Sequence, residues 1–251
     1  MVGDVRIIGV DGIPEVTAEH DAVELIVSGL EQSSLSLEEG DIVVVTHKLV
    51  SKAEGRVIEL ATVEASELAT RWAIAHEKDP RHVEVVFREA TRIVRMDRGL
   101  IIAETRHGFI CANAGVDASN VAGTVAVSML PVDPDESARQ IRAGLAERFG
   151  FAPAVIITDS FGRPWRRGII NIAIGAAGIE PLLDYRGQYD DQGYELRATV
   201  IAIADEIASA AELVMGKLDH RPVAIVRGYP YTPSEEGAAM LVMSADRDLF
   251  R

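Results

Sequence analysis

The chain has 251 residues, of which 48% are hydrophobic and 25% charged. That mixture leaves ample apolar surface to offset the entropy of ordering, so a disordered chain is excluded. With 39 acidic against 25 basic side chains the net charge is −14, a field that repels phosphate backbones and argues against nucleic acid as a partner. The single cysteine, Cys111, excludes an intrachain disulfide, and no run approaches the ~20 apolar residues of a membrane span. A cytoplasmic protein with no membrane partner is the expectation.

Residues 5–10 read as a strand rather than a leader peptide, because Asp4 and Arg6 interrupt the apolar stretch and no cationic lead precedes it. A turn around Gly12 and Pro14 follows. Helix-spaced apolar residues (Ala22, Val23, Leu25, Ile26, Leu30) then predict a helix over 20–30. Residues 42–45 are a short β-branched run, which predicts a buried strand ending in Thr46-His47-Lys48. Helices are predicted over 65–76 and 81–94, with Pro80 as a first-turn residue between them. A strand over 99–104 and a structured loop over 107–121, rich in Gly, Asn, Ala and Asp, come next. Residues 134–149 read as a helix stopped by Gly150. Residues 154–158 form a second buried strand, 169–179 a segment of small and apolar residues, 196–215 a long helix with an Ala-rich face, and 223–226 a third strand.

No internal repeat or low-complexity linker divides the chain. A strict βαβ rhythm is missing, and so are the G-x-G-x-x-G and Walker A phosphate loops. The fold expected is α+β, with mixed sheets and flanking helices, neither Rossmann nor P-loop. Residues 1–251 would form one domain of two intimately joined subdomains.

Three stretches carry candidate chemistry. In TDSFGRPWRRG (158–168), Asp159 stands at the end of a buried strand and Ser160 adds an oxygen beside it, ligands that suit Mg²⁺ or Mn²⁺. Arg163, Arg166 and Arg167 follow, and guanidinium forks suit phosphate and carboxylate. The plainer reading has Asp159 in a turn and the arginines on surface acids; three arginines clustered in so acidic a chain favour the functional one. In NAGVDASN (113–120), Asp117 and Asn120 offer a carboxylate and an amide among small residues, but on its own the stretch reads most simply as an Asx-rich turn. In THKLVSKAEGR (46–56), His47, Lys48 and Lys52 follow a buried strand. On a helix Lys48 and Lys52 would share a face and could neutralise phosphates, while a solvated turn with Glu54 as ion-pair partner explains them equally well.

Together with Gly12-Ile13-Pro14 and ADEIASAAELVMGK (204–217), these motifs closely resemble the coenzyme F420-0:L-glutamate ligase (gamma-glutamyl ligase) family, over nearly the whole chain. The resemblance implies a GTP-dependent ligase that adds L-glutamate, and then further γ-linked glutamates, to coenzyme F420-0 through an acyl phosphate. It implies Ile13, Pro14, Glu15, Val16, His47, Lys48, Lys52 and Asn120 as GTP-binding. The segment 215–222, opening Met215-Gly216-Lys217, matches a nucleotide-contacting loop. It implies Asp117 and Asp159 on one divalent ion and Ser160 at a second, Mg²⁺ or Mn²⁺, with K⁺ as an additional candidate cofactor, and a homodimer. Catalytic roles for Arg163, Arg166 and Arg167, holding phosphate or the acidic substrates, are inferred from charge. Where archaeal members carry Gly-Glu after the long helix, this chain has Gly216-Lys217-Leu218-Asp219, so the expected carboxylate at 217 is missing. The nitroreductase-like domain of some actinobacterial relatives is not expected in this chain. Two other readings stay open: a non-catalytic guanine nucleotide-binding module, and a metal-dependent phosphohydrolase.

Overall fold

Regular structure begins with β1 (Arg6–Val10) and α1 (Ala22–Gln32), in a computed structural model that describes residues 3–121 and 124–249, with the backbone alone at 119–121 and 124. The start of α1 is set by Asp21, whose carboxylate accepts the Val23 and Glu24 amides. Five β-branched residues make β2 (Ile42–Thr46), and the chain turns at once into α2 (His47–Ala53). A peripheral segment follows: β3 (Val57–Glu59), α3 (Glu67–Ala75), α4 (Pro80–Glu89), β4 (Ala90–Asp97), β5 (Leu100–Thr105), β6 (Ile110–Ala112), β7 (Asp117–Val121) and β8 (Thr124–Ser128). The chain returns through α5 (Pro134–Phe149), β9 (Ala154–Arg163), β10 (Arg166–Ala177), β11 (Leu183–Asp184), β12 (Val200–Ile201), α6 (Ile203–Met215) and β13 (Val223–Arg227).

The central sheet has the order β1-β13-β2-β9-β10. Its middle pair, β2 and β9, is parallel, and the other pairings are antiparallel. Alternation along β2 explains why both faces are covered. Val43 and Val45 pack with Leu25, Ile26 and Leu30 of α1 and with Ile141 and Leu145 of α5. Ile42 and Val44 point the other way, onto Ala204, Ile207, Ala208 and Ala211 of α6. Each buried Val, Leu or Ile side chain contributes about 1.5–3 kcal/mol, and the small alanines let α6 lie close to the strands. A close approach also fixes Gly175 in β10, where a Cβ would fall 2.3 Å from the Pro134 carbonyl oxygen at the start of α5.

The peripheral segment builds two three-stranded sheets, β3-β8-β7 and β4-β5-β6. They share a separate core that includes Leu60, Ala73, Val83, Val86, Ile101 and Val127. The fold class is α+β, as the irregular alternation of elements implies.

Four boundaries differ from the sequence reading. The strand predicted over 154–158 runs on as β9 to Arg163, so Asp159 lies within it rather than at its end. The helix predicted over 81–94 ends at Glu89, and residues 90–97 form β4. Thr91, Ile93 and Val94 are β-branched, and a two-residue turn with Arg98 and Gly99 both at positive φ pairs Asp97 with Leu100. The loop predicted over 107–121 contains β6, a short 3₁₀ turn and β7, whose partner β8 lies beyond it in sequence. The helix predicted to begin at 196 begins at Ile203, because the preceding residues pair as β12 with β11.

Candidate active site

The parallel pair β2 and β9 ends level, with Thr46 opposite Thr158. Beyond that edge the chain leaves β2 into α2, leaves β1 toward Ile13–Val16, and enters β13 from the loop after α6. A cleft of about 450 Å³ opens there, outside the carboxyl ends of the parallel strands, the usual place for ligands of such sheets. It is walled by Ile13, Pro14, Glu15, Val16, His47, Lys48, Lys52, Asp117, Asp159, Ser160, Gly216 and Lys217, and also by Asn171, Glu212 and residues 220–222.

At the cleft floor His47, Asp117 and Asp159 offer ligand atoms that all lie within 4.8 Å of one another. His47 opens α2 and is 2% exposed. Its Nδ1 faces Ser51 Oγ at 3.4 Å, one helical turn on. Its Nε2 is 3.2 Å from Asp159 Oδ1, yet is buried without an aligned hydrogen-bond partner among the described residues. With the ring proton on Nδ1, Nε2 presents a lone pair to the carboxylates. Burial opposes the charge on Asp159; when His47 carries a proton on both ring nitrogens, the imidazolium, the Ser160 amide and Lys48 outweigh it and hold the carboxyl below its ordinary range. An imidazole and two carboxylates converging on one point suit a divalent transition ion such as Mn²⁺, and the orphaned Nε2 fits that donor set. Asp117 is paired with Lys48 Nζ at 2.9 Å, with both side chains half exposed. A pair in that setting holds by only ~0–1 kcal/mol, so either partner is readily lent to a ligand.

Two further clusters line the walls. Lys52 pairs with Glu15, linking α2 to the Ile13–Val16 stretch; Glu54 instead accepts from Ser137. On the opposite side, Ser160 Oγ donates to Asn171 Oδ1 at 2.7 Å, and Asn171 Nδ2 donates to Glu212 Oε2 at 2.8 Å. Lys217 Nζ bonds Ser160 Oγ and lies 3.3 Å from Glu212 Oε1. Nearby, burial and then the charges of Asp159 and Asp117 push the Cys111 thiol up to about 12, so it carries no thiolate chemistry at neutral pH.

Four sequence-selected residues sit elsewhere. Met215 is fully buried against the sheet in the α6 core, so its side chain does not reach the cleft, and Gly216 takes that place in the wall. Arg163, Arg166 and Arg167 do not line the cleft, because β9 and β10 continue as a hairpin past Ser160 and Ile169 and carry them to its tip. There Arg163 Nη2 donates to the Arg167 carbonyl, while Arg166 and Arg167 are exposed. Asn120 lies in β7, and its side chain falls outside the described residues. Asn171 and Glu212 were not selected from sequence. Asn171 lies alone among apolar residues in β10, a polar interruption that could have marked it; Glu212 looked like any polar position on α6.

Residues 12–228 match the protein family described as F420-0:Gamma-glutamyl ligase. Coenzyme F420:L-glutamate ligase of Methanothermobacter thermautotrophicus is 44% identical over 250 residues, covering 98% of this chain and 99% of that protein. The enzyme of that name from Methanopyrus kandleri is 47% identical over 242 residues, covering 94% of each chain. Another, from Methanocaldococcus jannaschii, is 43% identical over 234 residues, covering 90% and 93%.

Proposed function

The chain belongs to the F420-0:gamma-glutamyl ligase family, and we propose that it adds L-glutamate, and further γ-linked glutamates, to coenzyme F420-0 in a GTP-dependent reaction through an acyl phosphate. The observation that carries this reading is the convergence of His47, Asp117 and Asp159 at the floor of a cleft that Lys48 and Lys52 also line. Acidic ligands for a cation beside two ammonium groups, each held by a single exchangeable carboxylate, suit a polyphosphate.

A carboxylate is a poor electrophile for an amine, and phosphorylation supplies the leaving group. An acceptor carboxylate oxygen bonds to the γ-phosphorus as the β,γ-bridging P–O bond breaks and GDP leaves. The glutamate amine then attacks the acyl carbon, the C–O bond to phosphate breaks, and an amine proton passes to solvent. A divalent ion supplies charge neutralisation on the phosphates during transfer; His47, Asp117 and Asp159 would hold it. Lys48 and Lys52 exchange their carboxylate partners for phosphate oxygens. Ile13, Pro14 and Val16 give the nucleotide an apolar wall, and Glu15, released by Lys52, offers it a hydrogen-bond acceptor. Arg166 and Arg167, exposed past the Ile169 wall, hold the anionic acceptor rather than the nucleotide.

The test is an assay with GTP, Mn²⁺, L-glutamate and F420-0. GDP formation that requires both co-substrates, with hydroxamate appearing when hydroxylamine replaces glutamate, is the expected result. GDP release in the absence of glutamate and F420-0 would convert the reading to a phosphohydrolase. Binding without turnover would convert it to a nucleotide-binding module.

A further inference from the structure

Ser160 on β9, Asn171 on β10 and Glu212 on α6 meet in one wall of the cleft. The Ser160–Asn171 bond and the Asn171–Glu212 bond fix each successive group. Ser160 spends its proton on Asn171, so its lone pairs face inward together with Glu212 Oε1. Lys217 Nζ occupies the point on which they converge, bonded to Ser160 Oγ and 3.3 Å from Glu212 Oε1. The chain turns back to reach it through Gly216, at φ 60° and ψ −178°, a region open essentially to glycine alone.

A hydroxyl and a carboxylate aimed at one point are hard-cation ligands. An ammonium fills that point with one positive charge and three donors. A divalent ion at the same oxygens would have to displace Nζ, and would meet one carboxylate there instead of two. The second divalent site implied by family resemblance therefore does not fit these residues. We infer that Lys217 is a resident cation in the place of that second ion, so that the chain holds one divalent ion, and that the ammonium turns its remaining donor to an anionic phosphate in the cleft. The inference rests on reading His47, Asp117 and Asp159 as the divalent site, and one measurement separates the two.

Mn²⁺ bound per chain is counted from the EPR signal of the free ion, in the protein without nucleotide, with circular dichroism as the check on folding. The wild type is expected to bind one ion and Lys217→Glu two; Lys217→Ala, which clears the oxygens without adding a carboxylate, gains a second, weaker site. Asp159→Asn lowers each count by one. Equal counts in the wild type and both Lys217 variants overturn the inference, as does a wild-type count of two. A wild type that binds none beside a Lys217→Glu variant that binds one upholds the role of Lys217 and removes the His47 site instead. If Lys217→Glu fails to fold, the count for Lys217→Ala decides.

Discussion

His47 Nε2 stands 3.2 Å from Asp159 Oδ1 because each residue directly follows the last paired position of two parallel strands, Thr46 in β2 and Thr158 in β9. Their backbones diverge immediately afterwards, one into a helix and the other onward as a strand. The separation is therefore set by sheet register and not by flexible side chains. Asp159→Asn keeps the shape and removes the charge. Loss of a supporting contact at a metal site costs 10–100-fold in affinity, so loss of a ligand is expected to weaken Mn²⁺ by about 100-fold or more. Isothermal titration with Mn²⁺ reads it, and unchanged affinity takes Asp159 out of the site.

Lys48 is paired only loosely with Asp117 and lines the cleft. A charge-assisted hydrogen bond to phosphate is worth about 1.5–3 kcal/mol, so Lys48→Ala is expected to weaken GTP by roughly 10–100-fold at saturating Mn²⁺. Fluorescence titration with a labelled GTP analogue measures this. A shift under twofold would show that the ammonium never reaches the nucleotide.

Arg166 is exposed on the hairpin tip, outside the cleft wall. Arg166→Ala is expected to leave GTP affinity within about twofold and to raise the KM for F420-0 by roughly tenfold, the loss of one charge-assisted contact. Steady-state kinetics with each substrate varied in turn distinguishes the two. If turnover and both affinities are unchanged, Arg166 has no part in the reaction.

Asp79 caps α4, with Oδ1 accepting the Arg81 amide, and the Arg81 side chain also bonds the carboxylate. The Arg81 side-chain bond, foremost among the causes, holds the Asp79 carboxyl below its ordinary 3.8. The folded state therefore favours the ionised form. Its stabilisation is complete above pH 3.8 and is lost as pH falls below that value toward the depressed folded pKa. Asp79→Ala is expected to cost about 1 kcal/mol at pH 7, with the gap from wild type narrowing below pH 3.8. Urea denaturation at pH 7 and pH 3 checks both parts, and a pH-independent gap would leave only the loss of cap geometry.

Gly175→Ala would set a Cβ 2.3 Å from the Pro134 carbonyl oxygen, backbone against backbone. Neither atom can rotate away, so a cost of about 1–3 kcal/mol is expected. The readout is a lowered Tm; a Tm equal to wild type would show that α5 can lift off the sheet without loss.

Much was legible in the chain itself. The β-branched run at 42–45, the Gly150 helix stop and the apolar spacing of α1 each act within a few residues, so local sequence determined them. Asp159 was legible as a carboxylate following a buried apolar run, though β9 continues through it to Arg163, and the long motifs marked out Asp117, Lys48 and Lys52. What the tertiary structure alone decided was distance. Asp117 reaches the His47–Asp159 pair because β7 pairs with β8 in a separate small sheet. Asn171, Glu212 and Lys217 form one cluster because β10 and α6 pack together, though 46 positions separate the first from the last. The packing of α6 on the sheet also buries Met215, while the β9–β10 hairpin carries three arginines out to its tip. Propensity and spacing act between near neighbours along the chain, whereas a site of this kind is assembled by sheet register and core packing between residues far apart in it.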